Sequence, residues 1–151
     1  MSNLKNTNLD VARFAINCVE YAIDISNKVE PKKYKTLVKK MPTLIQKNGF
    51  INTLVFNLSK IDKTYHKEVL KNIVIWNKEN LKIKDIKDYK KIFQGINDEY
   101  IEKDSSKLFQ NYIKWVTSLE QMEYRLVAKE MIILFSWIKR FADGMIQDEG
   151  E

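Results

Sequence analysis

Residues that interrupt helices are scarce in this chain. Its 151 residues include four glycines and two prolines, too few for the many tight turns of a β-sandwich or barrel. A chain of this length is long enough for one domain with its own hydrophobic core. We therefore predict an all-α fold, a compact bundle of about six to seven helices that forms a single domain over residues 1–151, with frayed ends at 1–7 and 145–151.

The spacing of the apolar residues places the first two helices. A first helix over about residues 8–29 is predicted from an apolar stripe formed by Val11, Phe14, Ala15, Cys18, Val19 and Ala22. Pro31 suits the first turn of a second helix, because the amide hydrogen that proline lacks would have no partner there. We expect Pro42 to break or kink the second helix, and Asn48-Gly49 to end it in a left-handed cap.

Three further helices are predicted before residue 96. One over about 50–60 is expected to bury Ile51, Leu54, Val55 and Leu58. Thr64 is expected to cap the next helix, which carries on one face Tyr65, Val69, Ile73 and Trp76. A shorter helix is predicted from Asp85 to Gly95, and the acidic residues 96–104 are interpreted as a linker.

The last third of the chain is apolar nearly all round. A long helix is predicted from Ser118, with Gln121 completing a capping box, to about Ala142. One of its faces carries Tyr124, Ala128, Met131, Phe135, Ile138 and Ala142. A different side carries Leu126, Ile133 and Trp137. Two apolar faces indicate either burial between helices or a surface that contacts another subunit.

Positive charge is concentrated in one segment. Residues 28–47 carry seven lysines and one glutamate, whereas residues 92–151 carry seven basic and eleven acidic residues. At 100° per residue, the apolar face of the second helix (Tyr34, Leu37, Val38 and Met41) lies opposite Lys32, Lys33, Lys35, Lys39 and Lys40. A basic face of this kind suits a polyanion. The alternative is the ordinary solvated surface of a protein from a lysine-rich proteome.

Side chains that could carry catalysis are few. The chain has one histidine, His66, and one cysteine, Cys18, and it lacks the glycine-rich motifs that bind phosphates. Cys18 falls in an apolar stripe and is expected to be buried, whereas His66 is expected to be solvated or in contact with a phosphate. We predict no catalytic residue, no metal site and no cofactor. The sequence has no signal-like segment and no apolar run that could span a membrane, which favours a soluble cytoplasmic protein.

Two segments resemble a known family. Residues 34–60, YKTLVKKMPTLIQKNGFINTLVFNLSK, resemble the hallmark segment of the Cmr small-subunit family, which belongs to type III-B CRISPR RNA-targeting complexes. The matching positions are Tyr34, Leu37, Met41-Pro42, Leu44-Ile45, Asn48-Gly49, Thr53-Leu54, Phe56 and Ser59-Lys60. Residues 124–145 are similar to the second signature of the family, with Tyr124-Arg125, Trp137, Lys139-Arg140-Phe141 and Gly144 in place. Phe50 stands where the family has leucine, and residues 62–117 match only in helicity and length.

The resemblance implies a non-catalytic subunit in antiviral defence. It would stack beside the backbone subunits and line the groove in which guide RNA pairs with target RNA. The implied partners are the other Cmr subunits, guide RNA, target RNA and further copies of the chain, with no membrane. The lysines expected to bind RNA phosphates are Lys32, Lys33, Lys35, Lys39, Lys40, Lys47 and Lys60. The residues expected at a subunit interface are Ile133, Trp137 and Arg140.

Other classes of protein remain open at this point. A small subunit of a type III-A or type I complex would share the role, although residues 34–60 look like the type III-B version. A helical protein–protein adaptor without RNA binding would have the lysines only as solvated surface. A salt titration of RNA binding separates this class from an RNA-binding small subunit. A DNA-binding helix-turn-helix is disfavoured, because Pro42 lies where a recognition helix should be continuous.

Overall fold

The computed structural model describes residues 7–80, 92–93 and 105–147. This part of the chain forms seven helices and no strand: α1 (Thr7–Asp24), α2 (Ser26–Val29), α3 (Pro31–Asn48), α4 (Phe50–Ser59), α5 (Thr64–Asn80), α6 (Ser105–Thr117) and α7 (Gln121–Met145). The predicted all-α class is therefore confirmed. Of the helix predicted at Asp85–Gly95 only residues 92–93 are described, and they are helical. The predicted linker at 96–104 and most of the predicted frayed ends lie outside the described residues.

The long helix α7 lies at the centre of the packing, against α3 and α1. Its inward face buries residues that the apolar spacing predicted, namely Met131, Phe135, Ile138 and Ala142. Val127 and Leu134 are fully buried as well, although they lie outside the predicted face. Because helices cover α7 on two sides, the buried arc is wider than a single apolar stripe.

The predicted first helix is divided into two. Ile25 separates α1 from α2 with φ −104° and ψ 39°, outside the helical region, and no proline or glycine marks the interruption. Glu30 then adopts a left-handed conformation with φ 59°. This turn directs the chain into α3, in which Pro31 occupies the first turn as predicted.

Helix α3 continues through Pro42 to Asn48, so the break expected at this proline does not occur. Gly49 follows with φ 87° and ψ 156°, and its amide bonds to the carbonyl of Ile45 at 3.0 Å. The positive φ agrees with the predicted cap, but ψ is extended rather than left-handed helical. This combination of angles is accessible essentially to glycine alone, and it lets α4 start immediately after α3.

The buried side of α4 differs from the predicted one. Val55 is 48% exposed, which corrects the expectation that it is core, and Ile51 and Leu58 are only partly buried. Two polar residues, Thr53 and Asn57, are buried instead. Their side chains bond to backbone carbonyls one turn earlier in the same region, Thr53 Oγ1 to Gly49 at 2.9 Å and Asn57 Nδ2 to Thr53 at 2.9 Å. Because these bonds satisfy their polar atoms, burial of both side chains is tolerated.

Two predicted helix starts are shifted. Thr64 is the first residue of α5 rather than a residue preceding it. A capping box does begin α7, but it is formed by Glu120 and Glu123 instead of Ser118 and Gln121. The amide of Glu120 donates to Glu123 Oε1 at 3.1 Å, so the reciprocal bonding expected of the motif is present two residues further along the chain.

Candidate nucleic-acid interface

The outward side of α3 is a row of exposed lysines. We call it the lysine face, and it consists of Lys32, Lys33, Lys39, Lys40 and Lys47. At 100° per residue these positions fall within an arc of about 120°, and at 1.5 Å per residue they extend over about 22 Å. No acidic residue occurs in α3, so the helix contributes only positive charge to this surface.

The opposite side of α3 is buried and fixes the orientation of the lysine face. Its core residues are those predicted, Tyr34, Leu37, Val38 and Met41, together with Ile45. The hydroxyl of Tyr34 donates to Asn72 Oδ1 at 2.7 Å. Burial raises the pKa of Tyr34 well above its ordinary value, and the nearby Cys18 and Glu68 raise it further. Because this side is anchored in the core, α3 cannot rotate its lysines away from solvent.

Lys35 is not part of this surface. It is 4% exposed, which corrects the prediction that it projects into solvent. The end of α7 covers this flank of α3, and Lys35 Nζ donates to the carbonyl of Ile146 at 2.7 Å. The carboxylate of Asp143 lies 3.9 Å from the same ammonium group. The ammonium group of Lys35 therefore makes its contacts inside the fold, with Ile146 and Asp143.

Among Lys33, Lys39, Lys40 and Lys47 of the lysine face, the first two have acidic neighbours and the last two do not. Lys33 pairs with Glu30 at 3.4 Å, and Lys39 pairs with Asp143 at 3.0 Å. Within the described ranges, no carboxylate lies at ion-pair distance from Lys40 or Lys47. These two ammonium groups therefore carry the least compensated charge of the surface.

A second exposed area adjoins the end of α3. On α4, the side chains of Val55 and Phe56 are 48% and 38% exposed. Lys60, which is half-buried, places Nζ 5.9 Å from the centre of the Phe56 ring. A pocket of about 580 Å³ lies alongside, lined by Leu44, Lys47, Asn48, Asn52, Thr53 and Phe56. Lys47 thus belongs both to the lysine face and to the rim of this pocket.

His66 is buried, which corrects the prediction of a solvated or phosphate-touching side chain. It is 5% exposed, and its Nδ1 lies 2.9 Å from Asn57 Oδ1. Burial lowers the pKa of His66, and the nearby charges of Lys60 and Lys63 lower it further. The signal was present in the sequence, because His66 precedes Val69 and Ile73 at the spacing of one helix face.

The predicted interface residues lie on or beside an exposed apolar strip of α7. This strip consists of Met122, Leu126 and Ile133. Ile133 is 37% exposed. Trp137 is half-buried and stacks on Phe141 with ring centres 6.0 Å apart, while the Arg140 guanidinium lies 5.0 Å from the centre of the Trp137 ring. The strip begins at Met122, which is 75% exposed and lies outside the predicted set of interface residues.

The described helices include none long and apolar enough to cross a membrane. An all-α chain with one basic face and a separate apolar strip has the features of a binding subunit. The model of the family CRISPR-associated protein (Cas_Cmr5) matches residues 7–145. The chain therefore belongs to this family, the small subunits of type III-B Cmr complexes. Membership implies association with the other subunits of such a complex.

Proposed function

We propose that this chain is a non-catalytic small subunit that binds the phosphate backbone of guide or target RNA through the lysine face. In this role it stacks beside the backbone subunits of a cytoplasmic Cmr complex and takes part in antiviral defence. The proposal needs no cofactor. Specificity for a target sequence then comes from base pairing with the guide, as in other RNA-guided systems.

The observation that carries the proposal is the charge and exposure of α3. Its five outward lysines are all exposed, and Lys40 and Lys47 have no carboxylate at ion-pair distance in the described part of the chain. Lysines that neutralise phosphates release counterions, and this release gives affinity without reading the bases. Such binding suits a subunit that must accept any guide and any target.

The absence of a catalytic role is part of the proposal and is supported by the two reactive side chains. Cys18 is buried, and burial raises the pKa of its thiol well above the ordinary value, so that the reactive thiolate is disfavoured. His66 is hydrogen-bonded to Asn57 inside the fold. Neither side chain faces the solvent in a position to act on RNA.

The apolar strip of α7 supports the second half of the role, which is assembly. Met122, Leu126 and Ile133 are exposed along one side of this helix, and at 100° per residue they fall within an arc of about 40°. We assign contacts with neighbouring subunits to this strip and to the adjoining Trp137 and Arg140. Partly exposed tryptophans and arginines are enriched among the residues that dominate binding.

A salt titration of RNA binding tests the proposal. The variant is Lys40→Ala/Lys47→Ala, and the control is Lys107→Ala/Lys114→Ala, which removes the same charge from exposed positions of α6. We expect the first variant to bind single-stranded RNA more weakly. The loss of affinity should be similar for RNAs of unrelated sequence. The slope of log affinity against log salt should flatten by about 0.7 for each phosphate that the variant no longer neutralises.

The control variant should keep both the affinity and the slope closer to those of the unmodified chain. If both variants lose the same affinity, binding depends on net charge alone and the lysine face has no special role. If neither changes RNA binding, the lysine face does not bind RNA. If the unmodified chain binds no RNA, the chain is a protein–protein adaptor whose lysines are ordinary solvated surface.

A further inference from the structure

We propose that the pocket beside Phe56 on α4 binds one unpaired nucleobase of single-stranded RNA, which stacks on the Phe56 ring. The inference rests on the proposed function, and it adds a contact to the base where the lysine face contacts only phosphates. The assignment of residues to RNA by charge includes Lys47 and Lys60 beside this site but not Phe56, because that side chain is apolar.

The position of Phe56 along α4 gives the pocket its geometry. Asn52 lies one turn before Phe56 and lines the pocket, whereas Lys60 lies one turn after it and approaches the ring to 5.9 Å from the ring centre. Asn52 therefore precedes Phe56 along α4 and Lys60 follows it. An aromatic ring that lines a pocket and has a cation nearby is a suitable platform for a base.

The Phe56 ring is held in place although it is partly exposed. The rings of His66 and Phe56 pack in a T-shaped arrangement, with centres 5.4 Å apart and an interplanar angle of 78°. His66 is itself anchored by Asn57 at 2.9 Å. A ring that is already positioned loses little conformational freedom when a base stacks on it, which favours binding.

The lining of the pocket complements RNA rather than an acidic or purely apolar ligand. It contains the carboxamides of Asn48 and Asn52 and the ammonium of Lys47, and it contains no carboxylate. Carboxamides both donate and accept hydrogen bonds, as the edges of bases require. Asn52 Nδ2 donates to the carbonyl of Asn48 at 2.7 Å, so its side chain is oriented before a ligand arrives.

Continuity with the lysine face decides between RNA and a protein partner. Lys47 borders the pocket and also ends the lysine face, so a strand whose phosphates follow α3 brings a base to Phe56. A hydrophobic protein surface placed here would instead remove the ammonium groups of Lys47 and Lys60 from water without pairing them, which is costly. RNA pairs them with phosphates.

Fluorescence titrations of the full chain test the subsite. The probe is a single-stranded oligouridine with one 2-aminopurine, and a base-paired RNA duplex of the same length is the comparison. We expect Phe56→Leu, which keeps an apolar side chain but loses the ring, to weaken single-strand binding about 5- to 150-fold. Quenching of the 2-aminopurine should be lost, duplex affinity should be nearly unchanged, and Phe56→Tyr should retain both quenching and affinity.

Asn52→Ala tests the pocket without changing the ring or the core, because Asn52 is exposed. Loss of one hydrogen bond to a base should weaken single-strand binding by about 2- to 10-fold. If Phe56→Leu or Asn52→Ala instead leaves single-strand affinity and quenching at the values of the unmodified chain, the subsite is wrong.

The titration separates failure of the subsite from failure of the proposed function. If Lys40→Ala/Lys47→Ala weakens RNA binding and Phe56→Leu does not, the phosphate-binding role stands and the base-stacking site falls. If Phe56→Leu weakens only association with other Cmr subunits, Phe56 is a protein contact and the inference is overturned. If the unmodified chain binds no RNA at all, both proposals are contradicted.

Discussion

The hydroxyl oxygen of Tyr124 accepts a hydrogen bond from the backbone amide of Phe50 at 3.0 Å. The amide of Ile51 donates to the same oxygen at 3.1 Å. Amides in the first turn of a helix have no acceptor within that helix, so Tyr124 on α7 supplies one for the start of α4. The contact joins the two segments through which the sequence resembles its family.

The first prediction concerns this contact. We expect Tyr124→Phe to lower the free energy of unfolding by about 1–3 kcal/mol, because two amides at a partly buried helix start lose their acceptor. The control is Tyr21→Phe, since Tyr21 is 45% exposed, and its effect should stay within about 0.5 kcal/mol. Urea denaturation measures both. Equal stability of the two variants would mean that the Tyr124 hydroxyl does not cap α4.

Lys35 and Lys40 are about 1.4 turns apart on α3, but they should respond differently to substitution. Lys35→Ala removes the donor that bonds to the Ile146 carbonyl at 2.7 Å, and we expect a loss of about 1–3 kcal/mol in the free energy of unfolding. Lys40→Ala should change it by no more than about 0.5 kcal/mol. Denaturation curves that show equal effects would contradict the structural role of Lys35.

The helices could be predicted because they depend on local patterns. The apolar face of α3 (Tyr34, Leu37, Val38 and Met41) is buried as its spacing indicates, and the lysines opposite it are exposed, apart from Lys35. Lys35 lies at the edge of the basic side of α3. Whether its side chain is exposed there depends on how another helix packs. Nothing in residues 31–48 reveals that the end of α7, 111 positions away, covers this flank.

The remaining errors also arise where tertiary packing overrides a local pattern. Val55 is exposed because α4 turns Thr53 and Asn57 inward, and hydrogen bonds within and next to the helix make their burial possible. The lysine neighbours of His66 indicate a solvated side chain, whereas its spacing to Val69 is that of the core face. Charge in adjacent residues says little about the face of a helix on which a side chain lies.

The pH dependence of stability follows from His66. Burial and the charges of Lys60 and Lys63 lower its pKa in the folded state, so below about pH 6.5 the unfolded state binds more protons than the folded state. We therefore expect the contribution of His66 to be constant above this pH and the free energy of unfolding to fall as the pH is lowered through it. Denaturation at a series of pH values measures the effect.

The control for this prediction is His66→Gln, which cannot titrate. Because His66 is the only histidine of the chain, the variant should lose the decrease that begins near pH 6.5. A variant that keeps the same decrease would assign it to other groups.

The assembly role of α7 is tested at Ile133. We expect Ile133→Asp to weaken binding to the other Cmr subunits by at least about tenfold, because an apolar contact would then receive an unpaired carboxylate. Leu9→Asp is the control, since Leu9 is 51% exposed on α1. Co-purification with the remaining subunits measures binding, and circular dichroism verifies the fold. Equal binding of both variants would remove Ile133 from the interface.

The most direct test of the central claim is to label the lysines of the assembled complex with an amine-reactive reagent, with and without RNA, and to quantify each site by mass spectrometry. We expect RNA to protect Lys40 and Lys47 and to leave Lys107 and Lys114 as reactive as before. Lys35, buried against Ile146, should be labelled poorly in both states. Equal labelling of Lys40 and Lys47 with and without RNA would contradict the claim that the lysine face binds RNA.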